Sequence, residues 1–163
     1  MGICLTLASC DKKDHSDEPG GSTSTENGYG EIKPTGLKIA NLYRESYNGD
    51  GPKELKIPGF PPLYYRFVNG GYKLVSEGGG LKECGNVPSM ESFSWKENKQ
   101  YFYNYVRPYV PLGLIYRMKV SKADEYPERF AYARIRVIDF LHSSTSDQIG
   151  VVLEYDSPYT PLQ

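Results

Sequence analysis

Two β-rich runs, Leu63-Tyr64-Tyr65-Arg66-Phe67-Val68 and Tyr72-Lys73-Leu74-Val75, are parted by Asn69-Gly70-Gly71. Asn-Gly between such runs dictates a β-hairpin, because both central residues of the favoured tight turn must accept positive φ. A hairpin alone is marginal in water, so the rest of the chain has to supply strands that cover one of its faces. The sequence offers them. Residues 37–42 alternate Leu37/Ile39/Asn41 against Lys38/Ala40/Leu42, and 53–57 form a short run closed by Pro58. Residues 81–87 read as a further strand after the Gly78-Gly79-Gly80 loop, and 91–96 with 101–106 read as a second hairpin around Glu97-Asn98-Lys99-Gln100.

The C-terminal third carries the cleanest alternation. In 113–119, Leu114, Tyr116 and Met118 share one face, with Ile115, Arg117 and Lys119 on the other. In 131–141, Ala131, Ala133, Ile135 and Val137 oppose Tyr132, Arg134, Arg136 and Ile138; in 149–155, Ile149, Val151, Leu153 and Tyr155 lie together. Residues 121–128 read as one helical turn capped by Ser121 and limited by Pro127. A composition with 17 Gly, 12 Pro and 15 Tyr disfavours long helices. The expected fold is all-β: an antiparallel β-sandwich or partly open barrel of about eight to ten short strands. No apolar run approaches the roughly 18 residues of a membrane-spanning helix, which excludes an integral membrane protein built on one.

The N-terminus is of another kind. Met1–Cys10 reads MGICLTLASC, and 11–31 read DKKDHSDEPGGSTSTENGYGE without an aliphatic side chain. Leu7-Ala8-Ser9-Cys10 resembles the lipobox of bacterial lipoproteins. The acidic, lysine-containing stretch behind it resembles the surface-export signal of Bacteroidetes lipoproteins. The resemblance implies that Cys10 is lipidated and the residues before it removed, and that acyl chains hold the protein to the outer membrane, at about 0.8 kcal/mol per buried CH₂. The expected organisation is a signal peptide over 1–9, a lipidated Cys10 with a flexible acidic tether over 10–33, and an all-β domain over 34–163. No Lys or Arg precedes Cys10, so the leader is expected to be truncated, with its start codon upstream.

A second resemblance lies at the other end. Tyr132-Ala133-Arg134-Ile135-Arg136-Val137-Ile138-Asp139-Phe140, a loop, then Gly150-Val151-Val152-Leu153-Glu154-Tyr155 is similar to the ending of small all-β Bacteroides lipoprotein domains of unknown function, which implies an extracellular β domain. With Cys4 in the leader and Cys10 lipidated, Cys84 is left without a disulfide partner and reads as a packing residue.

Net charge is −1 overall, divided into −4 over residues 11–31 and +3 elsewhere, which gives no basis for a nucleic-acid partner. Convergent titratable groups are scarce. Asp139, His142, Ser143, Ser144 and Asp147 read as a polar hairpin loop rather than a triad or a calcium site. Met90, Met118 and His142 lack a haem-ligand spacing. No enzyme, metal or cofactor is therefore expected.

The aromatic run Tyr101-Phe102-Tyr103-Asn104-Tyr105, with Arg107 and Tyr109, is the better lead. If the Phe102 side faces the core, the tyrosines face solvent and suit sugars or protein partners. Otherwise the rings pack inside or pair across strands. Trp95 reads as a core anchor or a sugar-stacking ring. The expected protein is thus a lipid-anchored, surface-exposed envelope component. It acts as a non-enzymatic binding module for glycan or protein or, alternatively, as a structural or assembly part of a surface complex.

Overall fold

A computed structural model describes residues 24–25, 28–98 and 100–163. Eleven strands follow in chain order: β1 (Ser24–Thr25), β2 (Gly30–Glu31), β3 (Lys38–Tyr43), β4 (Glu54–Leu55), β5 (Leu63–Val68), β6 (Gly71–Ser76), β7 (Gly80–Glu83), β8 (Tyr105–Val106), β9 (Leu112–Lys119), β10 (Phe130–His142) and β11 (Gln148–Asp156). Apart from the small β1–β2 pair, they form two antiparallel sheets: five strands in the order β3-β11-β10-β9-β7 and four in the order β4-β5-β6-β8. The sheets pack face to face without closing, so the fold is a sandwich and not a barrel. No helix occurs among the described residues.

The Asn-Gly hairpin forms as its sequence requires. Val68 pairs with Gly71, which leaves Asn69 and Gly70 as a two-residue loop with φ of 47° and 80°. Gly71 opens β6 rather than belonging to the turn.

The principal core lies between the sheets. Leu63, Tyr65 and Leu74 of the smaller sheet meet Leu114, Tyr116, Met118, Ala133, Ile135, Val137, Val151 and Leu153 of the larger one. Register is fixed by this pattern: sliding β10 by one residue would swap Ala133, Ile135 and Val137 for Arg134 and Arg136. After Val137 the pairing with β11 jumps from Leu153 to Val152 opposite Asp139, leaving Ile138 as a bulge. The extra residue reverses the parity, and Phe140 rather than Asp139 turns toward the core.

The larger sheet is covered on its outer face as well. There Ile115 and Tyr132 lie beneath Val87, Met90, Phe93 and Trp95, with Cys84, Phe102, Phe130 and Tyr159 at the margin. The expected hairpin of 91–96 with 101–106 does not form, because these two segments take different partners. Residues 84–98 are a covering loop whose apolar side chains, at 87, 90, 93 and 95, follow no two-residue alternation and plug into the sheet. Arg136 donates to Pro88 O at 2.6 Å, and Arg134 donates to the carbonyls of Met90, at 3.2 Å, and Phe93. The C-terminal tail clamps the loop from the far side: Leu162 N donates to Trp95 O at 2.9 Å and Trp95 N to the Tyr159 hydroxyl at 2.7 Å. Gly113 admits the loop, since a Cβ there would run into Val87 and approach Phe93 Cζ to 3.2 Å.

Two shorter expectations also change. Residues 121–128 form a turn and not a helical one. Ser121 Oγ is buried without a hydrogen bond, and the Glu125 carboxylate instead accepts from Lys122 N at 3.1 Å. Pro127 disfavours the helical conformation at Tyr126. The strands expected at 53–57 and 81–87 shrink to Glu54–Leu55 and Gly80–Glu83.

Candidate functional site

The segment 101–109 runs along one open side of the sandwich and joins its two sheets. Tyr103 forms a two-bond bridge with Leu81 of β7, its N–H donating at 2.9 Å and its carbonyl accepting at 2.7 Å. Two residues on, Tyr105 and Val106 pair with Val75 and Leu74 of β6. Between them Asn104 O accepts from Ser76 N at 2.8 Å. Alternation then decides exposure. Val106 enters the principal core and Phe102 packs against the outer one, edge-on to Trp95 at a centroid distance of 6.0 Å.

The Phe102 side therefore faces inward, and the tyrosines face solvent. Tyr101 is 80% exposed, Tyr103 58%, Tyr105 40% and Tyr109 43%. Tyr103 and Tyr105 line a cleft of about 480 Å³ together with Asn69, Lys73, Lys82, Glu83 and Arg107. Lys73 Nζ sits 4.3 Å from the centre of the Tyr105 ring, and Asn69 Nδ2 donates to the Tyr105 hydroxyl at 3.3 Å. Asn69 thus serves twice: its backbone makes the turn and its side chain steadies a ring of the cleft.

A second depression of about 410 Å³ adjoins the first through shared Lys82 and Glu83, and it reaches Trp95, Lys96 and Cys84. Trp95 itself is 8% exposed and belongs to the outer core, against Phe102 and Tyr132. It lines the depression with little exposed surface. Tyr101 and Tyr109 line neither cleft, while Tyr103, Tyr105 and Arg107 are brought together. Burial pushes the Cys84 thiol up to about 11, so it is a packing group at the margin of the groove rather than a nucleophile.

Sequence reasoning missed Asn69, Lys73, Lys82 and Glu83. Nothing local signals them, because the first two arrive from a hairpin and the others from β7, each paired with a different part of the 103–106 segment.

The remaining sequence candidates lie elsewhere. Met118 and Met90 are buried in the inner and outer cores respectively. Asp139 Oδ1 accepts from Phe140 N at 2.8 Å, and Asp147 Oδ2 accepts from Thr145 Oγ1 at 3.1 Å within the turn after His142. Among the described residues no group of three or more His, Cys, Asp or Glu could hold a metal ion. Cys10, the expected lipidation site, lies outside the described residues.

Fold and site together define an antiparallel β-sandwich, armoured on one face by a loop and carrying a tyrosine-lined groove along one open side. No family model, curated protein or solved structure matches the chain.

Proposed function

We propose that the chain is a lipid-anchored protein of the outer membrane, displayed at the cell surface, whose sandwich is a non-enzymatic binding module. Cys10 carries the lipid, and the acidic stretch behind it tethers the domain, which takes in residues before 34, since Tyr29 packs against the principal core and Ile32 is buried in it. The observation that supports recognition is the pair Tyr103 and Tyr105, both exposed, adjacent on one extended segment and lining the same cleft. Tyrosines held this way present large apolar faces and a hydroxyl at small entropic cost.

The test is alanine at Tyr101, Tyr103 and Tyr105, followed by capture on an array of glycans and surface proteins. Capture is lost, while the melting temperature moves by less than about 3 °C. Undiminished capture would refute the reading. Anchoring is tested by intact mass of the membrane-extracted protein: a diacylated Cys10 is expected, and an unmodified Met1 terminus would contradict it.

A role as an assembly component is the second reading. The edge strand β3 favours it, because Ile39 is 66% exposed beside Leu37 on the face turned away from the core. An uncovered apolar edge strand invites pairing with another chain. Lysine at Ile39 separates the two readings, since it disrupts assembly and leaves capture through the tyrosines intact.

A further inference from the structure

We propose that the groove beside Tyr103 and Tyr105 takes an acidic polysaccharide, a chain whose sugar rings carry carboxylate or sulfate groups. The proposal rests on the binding-module reading and names its ligand class.

Charge carries the first part of the argument. Lys73, Lys82 and Arg107 line the cleft, and Lys96 lines the adjoining depression, against the single carboxylate of Glu83. None of these four cations is in an ion pair among the described residues. Elsewhere Arg66 pairs with Glu45 and Glu77, Arg129 with Glu125, Arg134 with Asp156 and Arg136 with Glu154, while Arg44, Lys53 and Arg117 lie over aromatic rings. The groove differs in gathering four such cations around one carboxylate. Positive charge left unpaired in a concave, partly apolar site concentrates anions there.

Shape carries the second. The two depressions share Lys82 and Glu83, so they lie next to each other at β7, and a chain crossing that strand would meet both. Tyr103 and Tyr105 line the first depression, and the nearly buried Trp95 lines the second. Tyr105 is already held by Lys73 and Asn69, which lowers the cost of ordering it on binding.

Charge alone fits any polyanion; the surface location proposed above selects a polysaccharide over a nucleic acid.

The test is calorimetric titration of the full chain with hexagalacturonate, a heparin-derived hexasaccharide, neutral maltohexaose and a hexadeoxynucleotide. Binding to at least one acidic hexasaccharide is expected to be about tenfold or more tighter than to maltohexaose, and to weaken as salt rises from about 50 to 200 mM. Preference between hexagalacturonate and the heparin fragment identifies carboxylate or sulfate as the recognised group. Lys82→Gln with Arg107→Gln weakens that binding about tenfold, whereas Glu83→Gln strengthens it about two- to fivefold, because the groove loses its opposing charge. Melting curves of both variants match the parent, which separates lost recognition from lost folding. Equal affinity for maltohexaose overturns the acidic-ligand proposal and leaves the binding module standing. Tighter binding of the hexadeoxynucleotide overturns the sugar assignment alone. Failure to bind any probe overturns the acidic-ligand proposal, and undiminished array capture by the tyrosine variants overturns the binding module with it.

Discussion

Arg134 and Asp156 stand opposite each other on β10 and β11, and their side chains meet twice: Nη2 lies 2.5 Å from Oδ2 and Nε 3.0 Å from Oδ1. The same guanidinium donates to the backbone carbonyls of Met90 and Phe93. Arg136 repeats the arrangement two residues on, with Glu154 across the strand pair and Pro88 O above. An outward row of arginines on a sheet is ordinarily a solvated face. Here each arginine is oriented by a carboxylate so that its remaining N–H groups donate to carbonyls of the irregular covering loop.

Arg134→Met should therefore uncouple the loop from the sheet. It leaves Asp156 unpaired and the Phe93 carbonyl without the guanidinium, while Met90 O keeps its bond from Phe93 N, at a cost of about 2–4 kcal/mol. Urea denaturation reads the loss, and amide exchange rises first in the 87–96 loop rather than in β9 or β10.

Gly113→Ala probes the same contact from below. The added methyl meets Val87 and Phe93, and overpacking of this kind costs about 1–3 kcal/mol. Trp95 reports it directly, because lifting the loop exposes the indole and red-shifts its fluorescence.

Cys84 should be sluggish. With its thiol pushed up to about 11 by burial, the thiolate fraction at pH 8 falls to about 0.001, against about 0.2 for an ordinary thiol near 8.5. Alkylation by iodoacetamide should proceed about 100-fold more slowly in the folded protein than in urea. Equal rates would place the thiol in solvent.

Alkali should destabilise the sandwich. Burial raises the Tyr65 phenol to about 12 and lifts those of Tyr116 and Tyr132 above their ordinary value; a hydrogen bond to Glu97 adds to the effect at Tyr132. In the unfolded chain these phenols ionise near about 10, so above that pH the unfolded state releases protons first and stability falls. Below it both states are protonated and the three tyrosines contribute no slope. Urea midpoints should drop between about pH 10 and 12. A midpoint unchanged across that interval would contradict the burial of these rings.

Much of this architecture is written locally. The Asn69-Gly70 turn, the inward set Leu114, Tyr116 and Met118, and the inward set Ala133, Ile135 and Val137 all follow from two-residue alternation and turn chemistry. The orientation of Tyr103 and Tyr105 follows as soon as Phe102 and Val106 are seen to face inward. The covering loop does not, because Val87, Met90, Phe93 and Trp95 have no strand period and their seats on Ile115 and Tyr132 come from distant strands. The groove escapes for the same reason. Lys82 meets Tyr103 only because β7 lies at the edge of the larger sheet, and strand order is not encoded in any one segment. Pro127 was the local sign against a helical turn at 121–128, and it outweighs the capping residue before it.

The groove itself can be mapped most directly by two-dimensional amide NMR of the labelled protein during titration with hexagalacturonate and the heparin-derived hexasaccharide. Shifts should gather at Lys73, at Lys82 and Glu83, and from Tyr103 to Arg107, while the β3 edge and the turn after His142 stay still. Shifts centred on β3 or on that turn, with the 103–107 segment silent, would contradict the assignment of the groove as the recognition surface.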